Sequence, residues 1–159
     1  MSTSAPPVIR DLEEASIRQL LREHFIGSLA FIAHSDPQVL PITYYFDAEE
    51  NCLISYSEEG HKIQAMRENP SVSLGVYEVE SPARWRSVLV QGIYEELEQI
   101  DAKAHLRRFS EGIRHLLSQK GIQDDAFISD FSSKSSGRKP QLVYRIRILE
   151  WSGKYRGTS

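Results

Sequence analysis

The chain has 159 residues, of which 40% are hydrophobic and 26% are charged, a composition typical of one folded domain. Its longest uninterrupted apolar run covers residues 29–33, far short of the roughly 20 residues that a membrane-spanning helix needs. The formal net charge is -3, which excludes a strongly basic surface for nucleic acid. The N-terminus shows no secretory signal. We therefore expect a cytoplasmic protein with neither a nucleic-acid nor a membrane partner.

Metal and disulfide chemistry are not expected from the sequence. Cys52 is the only cysteine, which excludes an intramolecular disulfide and a thiolate cluster within one chain. No two of the five histidines stand at the short spacing of a metal-binding pair. These histidines are His24, His34, His61, His105 and His115.

Three helices are predicted. Asp11 is placed to cap the first, with Glu14 completing a capping box. A short second helix is predicted over residues 61–68 and ends before a proline. Asp101 is placed to open the longest helix and Gly121 to stop it.

Six strands are predicted from alternation of polar and apolar residues. They cover residues 29–33, 39–46, 52–57, 72–76, 84–97 and 142–149. Residues 1–10 are predicted to form a flexible tail and residues 129–140 a loop, which leaves 11–155 as one domain. Because the connections are short, the strands favour an antiparallel sheet. The predicted fold is mostly β (α+β), a six-stranded antiparallel split β-barrel with capping helices.

The segment from Ser57 to Lys62 joins a predicted strand to a predicted helix start. Backbone N–H groups at a helix start bind anions, and Lys62 would add a full positive charge. Glu58 and Glu59 favour a helix start but would repel an anion. The segment therefore predicts either a phosphate site or an ordinary solvated turn.

Two strands carry further candidate residues. Pro41 cannot donate to a strand ladder, so it marks an edge or bulge where backbone groups could face a ligand; Tyr44 beside it also fits simple core packing. The strand with Trp85 and Ser87 mixes polar and apolar residues on both faces, which favours a ligand or a subunit on one side. A structural tryptophan at a barrel rim is the alternative. Since no side-chain pattern supplies redox chemistry, an enzyme of this kind would need a cofactor.

Three motifs in this order carry a resemblance to a known family. They are P-I-T-Y at residues 41–44, S-x-x-G-H-K-I-x-x-M-R-x-N-P-x-V at 57–72 and W-R-S-V-x-V-x-G at 85–92. Together they resemble the pyridoxamine 5'-phosphate oxidase-like FMN-binding split-barrel proteins, and most of all the nitroimidazole-resistance branch. The resemblance implies a homodimer with FMN at the subunit interface and a small-molecule substrate.

The resemblance also implies a role for each motif. Lys62 and Ser57 would hold the FMN phosphate, with His61 nearby. His61 is the candidate catalytic residue, as either a proton donor or a substrate contact. The P-I-T-Y strand would line the edge of the flavin ring, partly through backbone groups. Trp85 and Ser87 would approach from the facing strand, either of the same or of the other subunit. The expected cofactor contacts are Pro41, Ile42, Thr43, Tyr44, Ser57, His61, Lys62, Trp85 and Ser87.

The end of the chain departs from the vitamin B6 oxidases that the family includes. Those enzymes share an arginine-rich C-terminal segment and a terminal proline, whereas this chain ends K-Y-R-G-T-S. Vitamin B6 oxidation is therefore not expected. The sequence instead favours an FMN-dependent oxidoreductase. The alternative is a flavin- or haem-binding store or sensor without turnover, and deazaflavin is a possible replacement for FMN.

Overall fold

A computed structural model describes residues 8–123 and 141–158, so the loop predicted at residues 129–140 lies outside the described residues. The described chain is of the α+β type, with helices inserted between groups of consecutive strands. The strands are β1 Ile9–Asp11, β2 Ile26–Ala33, β3 Asp36–Thr43, β4 Tyr45–Asp47, β5 Cys52–Glu58, β6 Ser71–Ser81, β7 Arg84–Leu97 and β8 Gln141–Arg156. The helices are α1 Glu14–Glu23, α2 His61–Glu68 and α3 Gln99–Gln119.

The described strands form one antiparallel sheet in the order β3-β2-β6-β7-β8-β5-β4, with β1 added on β8. Only Tyr44 separates β3 from β4, and its backbone N–H donates to the Phe25 carbonyl at 2.9 Å. The chain from Asp36 to Asp47 is therefore one bent strand that pairs with β2 in its first part and with β5 in its last. This bend closes the sheet into a barrel, which confirms the predicted mostly β, antiparallel split barrel.

The strand count differs from the predicted six in two places. The predicted strand 39–46 is recorded as two because the backbone bends at Tyr44. β1 is an addition, and it begins inside the segment that was predicted as a flexible tail. Short edge strands of this kind are held mainly by the neighbouring strand, so their own sequence carries little signal.

The barrel interior is filled by the inward-facing residues of the long strands. In β2, burial alternates strictly, with Leu29 and Phe31 inside. Leu74 of β6 and Val90 of β7 are also fully buried, and burial of each such side chain stabilises the fold by about 1.5–3 kcal/mol.

Helix α1 packs tightly on the barrel. Gly153 of β8 faces Ile17 of α1 so closely that an added Cβ would lie 2.9 Å from that side chain. The capping role predicted for Asp11 is wrong, because α1 begins at Glu14 with no side-chain cap and Asp11 forms an ion pair with Lys154 across the β1–β8 ladder. Asp11 is therefore held by the strand and not by the helix.

The other two helices begin and end close to the predicted residues. Helix α2 covers His61–Glu68, as predicted. Helix α3 begins at Gln99, two residues before Asp101, which lies in its first turn. Gly121 follows the end of α3 with a φ of 69°, the left-handed conformation that commonly ends helices. Among the described residues, no helix is long and apolar enough to span a membrane.

Candidate functional site

The barrel is split open where β3 separates from β5. The β4–β5 ladder ends at the pair Tyr45 and Ile54, and beyond it neither facing edge has a partner strand in the described chain. The Ser55 hydroxyl donates to the Thr43 carbonyl at 2.7 Å at the point where the two strands separate. We call the opening between residues 41–43 and 55–57 the strand-edge cleft. Its walls carry backbone N–H and C=O groups that can bind the polar edge of a planar ligand.

Helix α2 begins just beyond one wall of this cleft, and its second residue is Lys62. The Lys62 side chain is half-buried, and among residues 8–123 and 141–158 it has neither an ion-pair nor a hydrogen-bond partner. Burial lowers the pKa of Lys62 below its ordinary value of 10.5. A desolvated ammonium group without an anion is costly, so this position favours the binding of an anion.

The two acidic residues before the helix do not neutralise Lys62. Glu59 pairs with Arg67 in the last turn of α2, and the same guanidinium group contacts Glu96 at 2.8 Å. Glu58 is exposed and its carbonyl accepts a hydrogen bond from the Ser57 hydroxyl at 3.0 Å. The Arg67 contact therefore offsets part of the repulsion that the Glu59 carboxylate would exert on an anion at the helix start.

Gly60 precedes α2 in an extended conformation, with φ 176°, that any residue adopts. An added Cβ there would meet no atom within 4 Å. Neither backbone conformation nor packing therefore requires a glycine at this position. Space is left beside the first N–H groups of the helix, which is what a bound phosphate would need.

His61 lies at the same end of the barrel, on the surface. Its ring is 6.5 Å from the ring of Phe31, in an edge-on arrangement, and 6.4 Å from the ring of His34 in the β2–β3 turn. Because the ring is exposed, it is accessible to a ligand at the start of α2. Its catalytic role stays a prediction.

Only half of the P-I-T-Y side chains lie on the outer face of the barrel. Pro41 is exposed and Thr43 half-buried, whereas Ile42 and Tyr44 point into the barrel. The Tyr44 hydroxyl donates to the Leu21 carbonyl at 2.9 Å, and burial raises the pKa of Tyr44 above its ordinary value. The Tyr44 side chain therefore packs in the core, and its backbone N–H is already paired with the Phe25 carbonyl.

Trp85 and Ser87 lie toward the other end of β8 from the strand that precedes α2. Ser87 pairs with Lys154 near the end of β8, whereas Ser57, beside the start of α2, pairs with Leu142 near the beginning of the same strand. Roughly 40 Å of strand, measured along its path, separates those two positions on β8.

Trp85 and Ser87 share the outer face of the sheet with Pro41 and Thr43. The Tyr77 hydroxyl donates to Ser28 Oγ across this face at 2.9 Å. Large apolar side chains on the same face are exposed, up to 70% for Val79. They are Ile26, Val39, Tyr77, Val79 and Leu89. A continuous exposed apolar face of this kind is typical of a protein interface.

A cluster of charged residues between the β4–β5 turn and α3 was not found from the sequence. The Glu50 carboxylate contacts Arg108 at 3.0 Å, Arg145 at 3.4 Å and His105 Nε2 at 3.0 Å. Glu50 and His105 are 55 residues apart, so no local spacing could have indicated this contact. Only the folded position of α3 brings these residues together.

Comparisons with known proteins agree with this fold. The family model described as pyridoxamine 5'-phosphate oxidase matches residues 13–155. An uncharacterized protein of Rhizobium meliloti (strain 1021) is 39% identical over 129 residues, which cover 81% of this chain and 83% of that protein.

Solved structures of other proteins have a similar three-dimensional fold. The crystal structure of an FAD-binding protein from Mesorhizobium loti has a TM-score of 0.73 and 28% identity, covering 96% of this chain and 99% of the other. A putative 5-nitroimidazole antibiotic resistance protein from Bacteroides thetaiotaomicron has a TM-score of 0.59 and 16% identity, with 96% and 93% of the two chains covered. At 16% identity, the comparison with this resistance protein shows a shared fold and no more.

Proposed function

Because the chain belongs to the pyridoxamine 5'-phosphate oxidase family, we propose that it binds FMN and acts as a flavin-dependent oxidoreductase on a small molecule. The observation that carries the proposal is Lys62, a half-buried cation without a partner in the described chain, at a helix start beside the strand-edge cleft. The similarity to an FAD-binding protein supports the flavin class.

The phosphate would lie at the start of α2. Lys62 Nζ and the unpaired N–H groups of the first turn would donate to its oxygens. The Ser57 hydroxyl can join them by rotating away from the Glu58 carbonyl that it now contacts. Because Arg67 pairs with Glu59, part of that carboxylate's repulsion of the phosphate is offset.

The flavin ring would lie along the strand-edge cleft. The backbone from Pro41 to Tyr44 would contact its polar edge, with Thr43 as the partly exposed side chain at the point where the strands separate. A bound flavin supplies hydride-transfer chemistry that the side chains do not supply themselves. The role of the chain is to anchor and orient the cofactor, and His61 is the candidate for a proton donor or a substrate contact.

A second copy of the chain would complete the site. Trp85 and Ser87 lie toward the other end of β8 from Ser57, on the exposed apolar outer face. When that face packs against itself about a twofold axis, each copy brings its own Trp85 and Ser87 to the other copy's Pro41 and Thr43. The homodimer and a cytoplasmic location are parts of this proposal.

The binding half of the proposal is tested by titrating FMN into cofactor-free protein and following the quenching of flavin fluorescence. FAD, a deazaflavin and haem are titrated in parallel. Saturation with FMN at one molecule per chain supports the proposal. Tighter binding of FAD, deazaflavin or haem would identify that compound, and not FMN, as the cofactor. Absence of binding by all flavins would refute the proposed function.

The catalytic half is tested on the flavin-loaded protein after anaerobic reduction. A nitroaromatic compound or a quinone is then added, and reoxidation of the flavin is followed by absorbance. Acceleration over buffer and over the same amount of free reduced FMN supports an oxidoreductase. Reoxidation no faster than that of free FMN with every acceptor favours the alternative of a flavin store or sensor.

A further inference from the structure

We propose that Glu50, Cys52 and His105 form a binding site for a divalent metal ion of the zinc class, between the β4–β5 turn and α3. One ligand atom from each residue can be chosen so that all three lie within 4.8 Å of one another. Zinc bound to sulfur, nitrogen and oxygen holds these atoms roughly 3.5 Å apart. The widest separation in the cluster would therefore have to close by about 1 Å.

The orientation of His105 is the second observation that favours a metal. Its side chain is buried, with Nδ1 2.9 Å from the Asp101 carbonyl and Nε2 3.0 Å from a Glu50 oxygen. With Nδ1 donating to the Asp101 carbonyl, Nε2 of a neutral ring is an acceptor, so either a proton or a metal ion lies between Nε2 and the Glu50 oxygen. A ring that donates from Nδ1 to a backbone carbonyl while Nε2 faces a carboxylate is the usual arrangement of a metal-binding histidine.

A bound divalent ion would be neutralised by the Cys52 thiolate and the Glu50 carboxylate. Arg108 and Arg145 also contact Glu50, and each contacts a second carboxylate, Asp47 at 3.1 Å and Glu95 at 3.5 Å. Glu95 is shared with Arg147 at 2.7 Å, so neighbouring carboxylates offset only part of the charge of the two arginines. Both arginines can remain as hydrogen-bond donors to Glu50.

The choice of metal follows from the mixed ligand set. One thiolate, one imidazole and one carboxylate suit zinc and cobalt better than magnesium or calcium, which prefer oxygen ligands. Burial raises the pKa of the Cys52 thiol to about 12, so the metal must displace a proton from sulfur. Glu50 is the exposed member of the cluster, and it leaves the fourth coordination position open to water.

The test is a titration of the chelator-treated full chain with Co²⁺, followed by absorption spectroscopy. Because Cys52 is the only cysteine, a thiolate-to-cobalt charge-transfer band can come from this residue alone. We expect the band to saturate at one cobalt per chain and to disappear when one equivalent of Zn²⁺ is added. Absence of the band in the wild-type protein would overturn the proposal, and a proton would then be the only cation between His105 and Glu50.

Variants separate this site from adventitious binding. His105→Gln should weaken cobalt binding at least tenfold, and Cys52→Ser should abolish the band, with folding of each variant confirmed by circular dichroism. The matched control is His115→Gln, an exposed histidine on the same helix, which should bind cobalt like the wild type. Equal binding by the His105 and His115 variants would contradict the proposal. Since FMN is absent from these titrations, their outcome is independent of the flavin proposal.

Discussion

Helices α2 and α3 place cations beside the barrel in opposite ways. At α3, Arg108 contacts both Asp47 and Glu50, and His105 contacts Glu50 as well. At α2, the half-buried Lys62 has no anionic partner in the part of the chain that the structure describes. The charges under α3 are matched within the chain, whereas the charge at α2 is not.

This difference separates a region whose charges are paired within the chain from a region that leaves a cation available to a flavin phosphate. Paired charges at α3 satisfy one another and fix the helix over the buried Phe109 and Ile113. An unpaired, partly desolvated cation costs free energy unless a ligand neutralises it. Substitutions of buried residues in α3 should therefore reduce stability, and substitution of the cation at the start of α2 should reduce flavin binding.

The largest expected effect on stability comes from Phe109→Ala. Phe109 is fully buried between α3 and β5, so its truncation should lower the free energy of unfolding by about 3–5 kcal/mol. Chemical denaturation followed by circular dichroism measures this change. Flavin affinity of the folded fraction should stay the same, and a parallel loss of affinity would show that the two regions are not separate.

The largest expected effect on binding comes from Lys62→Glu. Replacing the cation by an anion removes a charge-assisted contact and adds repulsion, so FMN affinity should fall about a hundredfold or more. Fluorescence titration measures the affinity, and thermal unfolding should be nearly unchanged. Lys103→Glu on the exposed surface of α3 makes the same change in net charge and should bind FMN normally. An equal fall in both variants would mean that only overall charge matters.

A pH profile of FMN affinity tests whether the positive charge of Lys62 is needed for binding. Burial lowers the pKa of Lys62 below 10.5, so in the free protein its positive charge is lost at a lower pH than that of an ordinary lysine. Affinity should therefore decline as the pH rises through this lowered pKa. In Lys62→Arg the decline should move to higher pH, because arginine keeps its charge. Identical alkaline profiles for the two proteins would exclude Lys62 as the titrating group.

The smallest expected effect comes from Ser87→Ala. One neutral hydrogen bond contributes about 0.5–1.5 kcal/mol, so affinity should fall by roughly two- to tenfold. The loss should be restricted to the dimer, since Ser87 would act on the partner's cofactor. Titrations at protein concentrations above and below dimer dissociation, determined by ultracentrifugation, would reveal this restriction. A similar loss at every concentration would argue against a contact across the interface.

Much of the fold could be predicted because its signals are local. Helix α2 matches its predicted bounds because Asn69 and Pro70 follow its last residue and its buried residues repeat at helical spacing. The prediction was wrong for Asp11, where capping chemistry and a cross-strand contact compete for one carboxylate. Local sequence could not decide between them, because Lys154 is 143 residues away.

The candidate site was predictable in part for the same reason. Gly60, His61 and Lys62 are consecutive, so a helix start with a cation is visible in the sequence. The pairing of Glu59 with Arg67 was not visible, and it weakens the repulsion that an acidic residue there would exert on an anion. The contacts of Glu50 with His105 and Arg108 depend on how α3 packs, which the sequence pattern of α3 does not specify.

FMN binding is tested most directly by the visible absorption spectrum of the freshly purified protein, followed by denaturation and chromatography of the released chromophore. We expect a flavin spectrum and release of close to one FMN per chain. A colourless protein that also fails to take up added FMN would contradict this expectation, because the half-buried Lys62 and the strand-edge cleft would then have no flavin to bind.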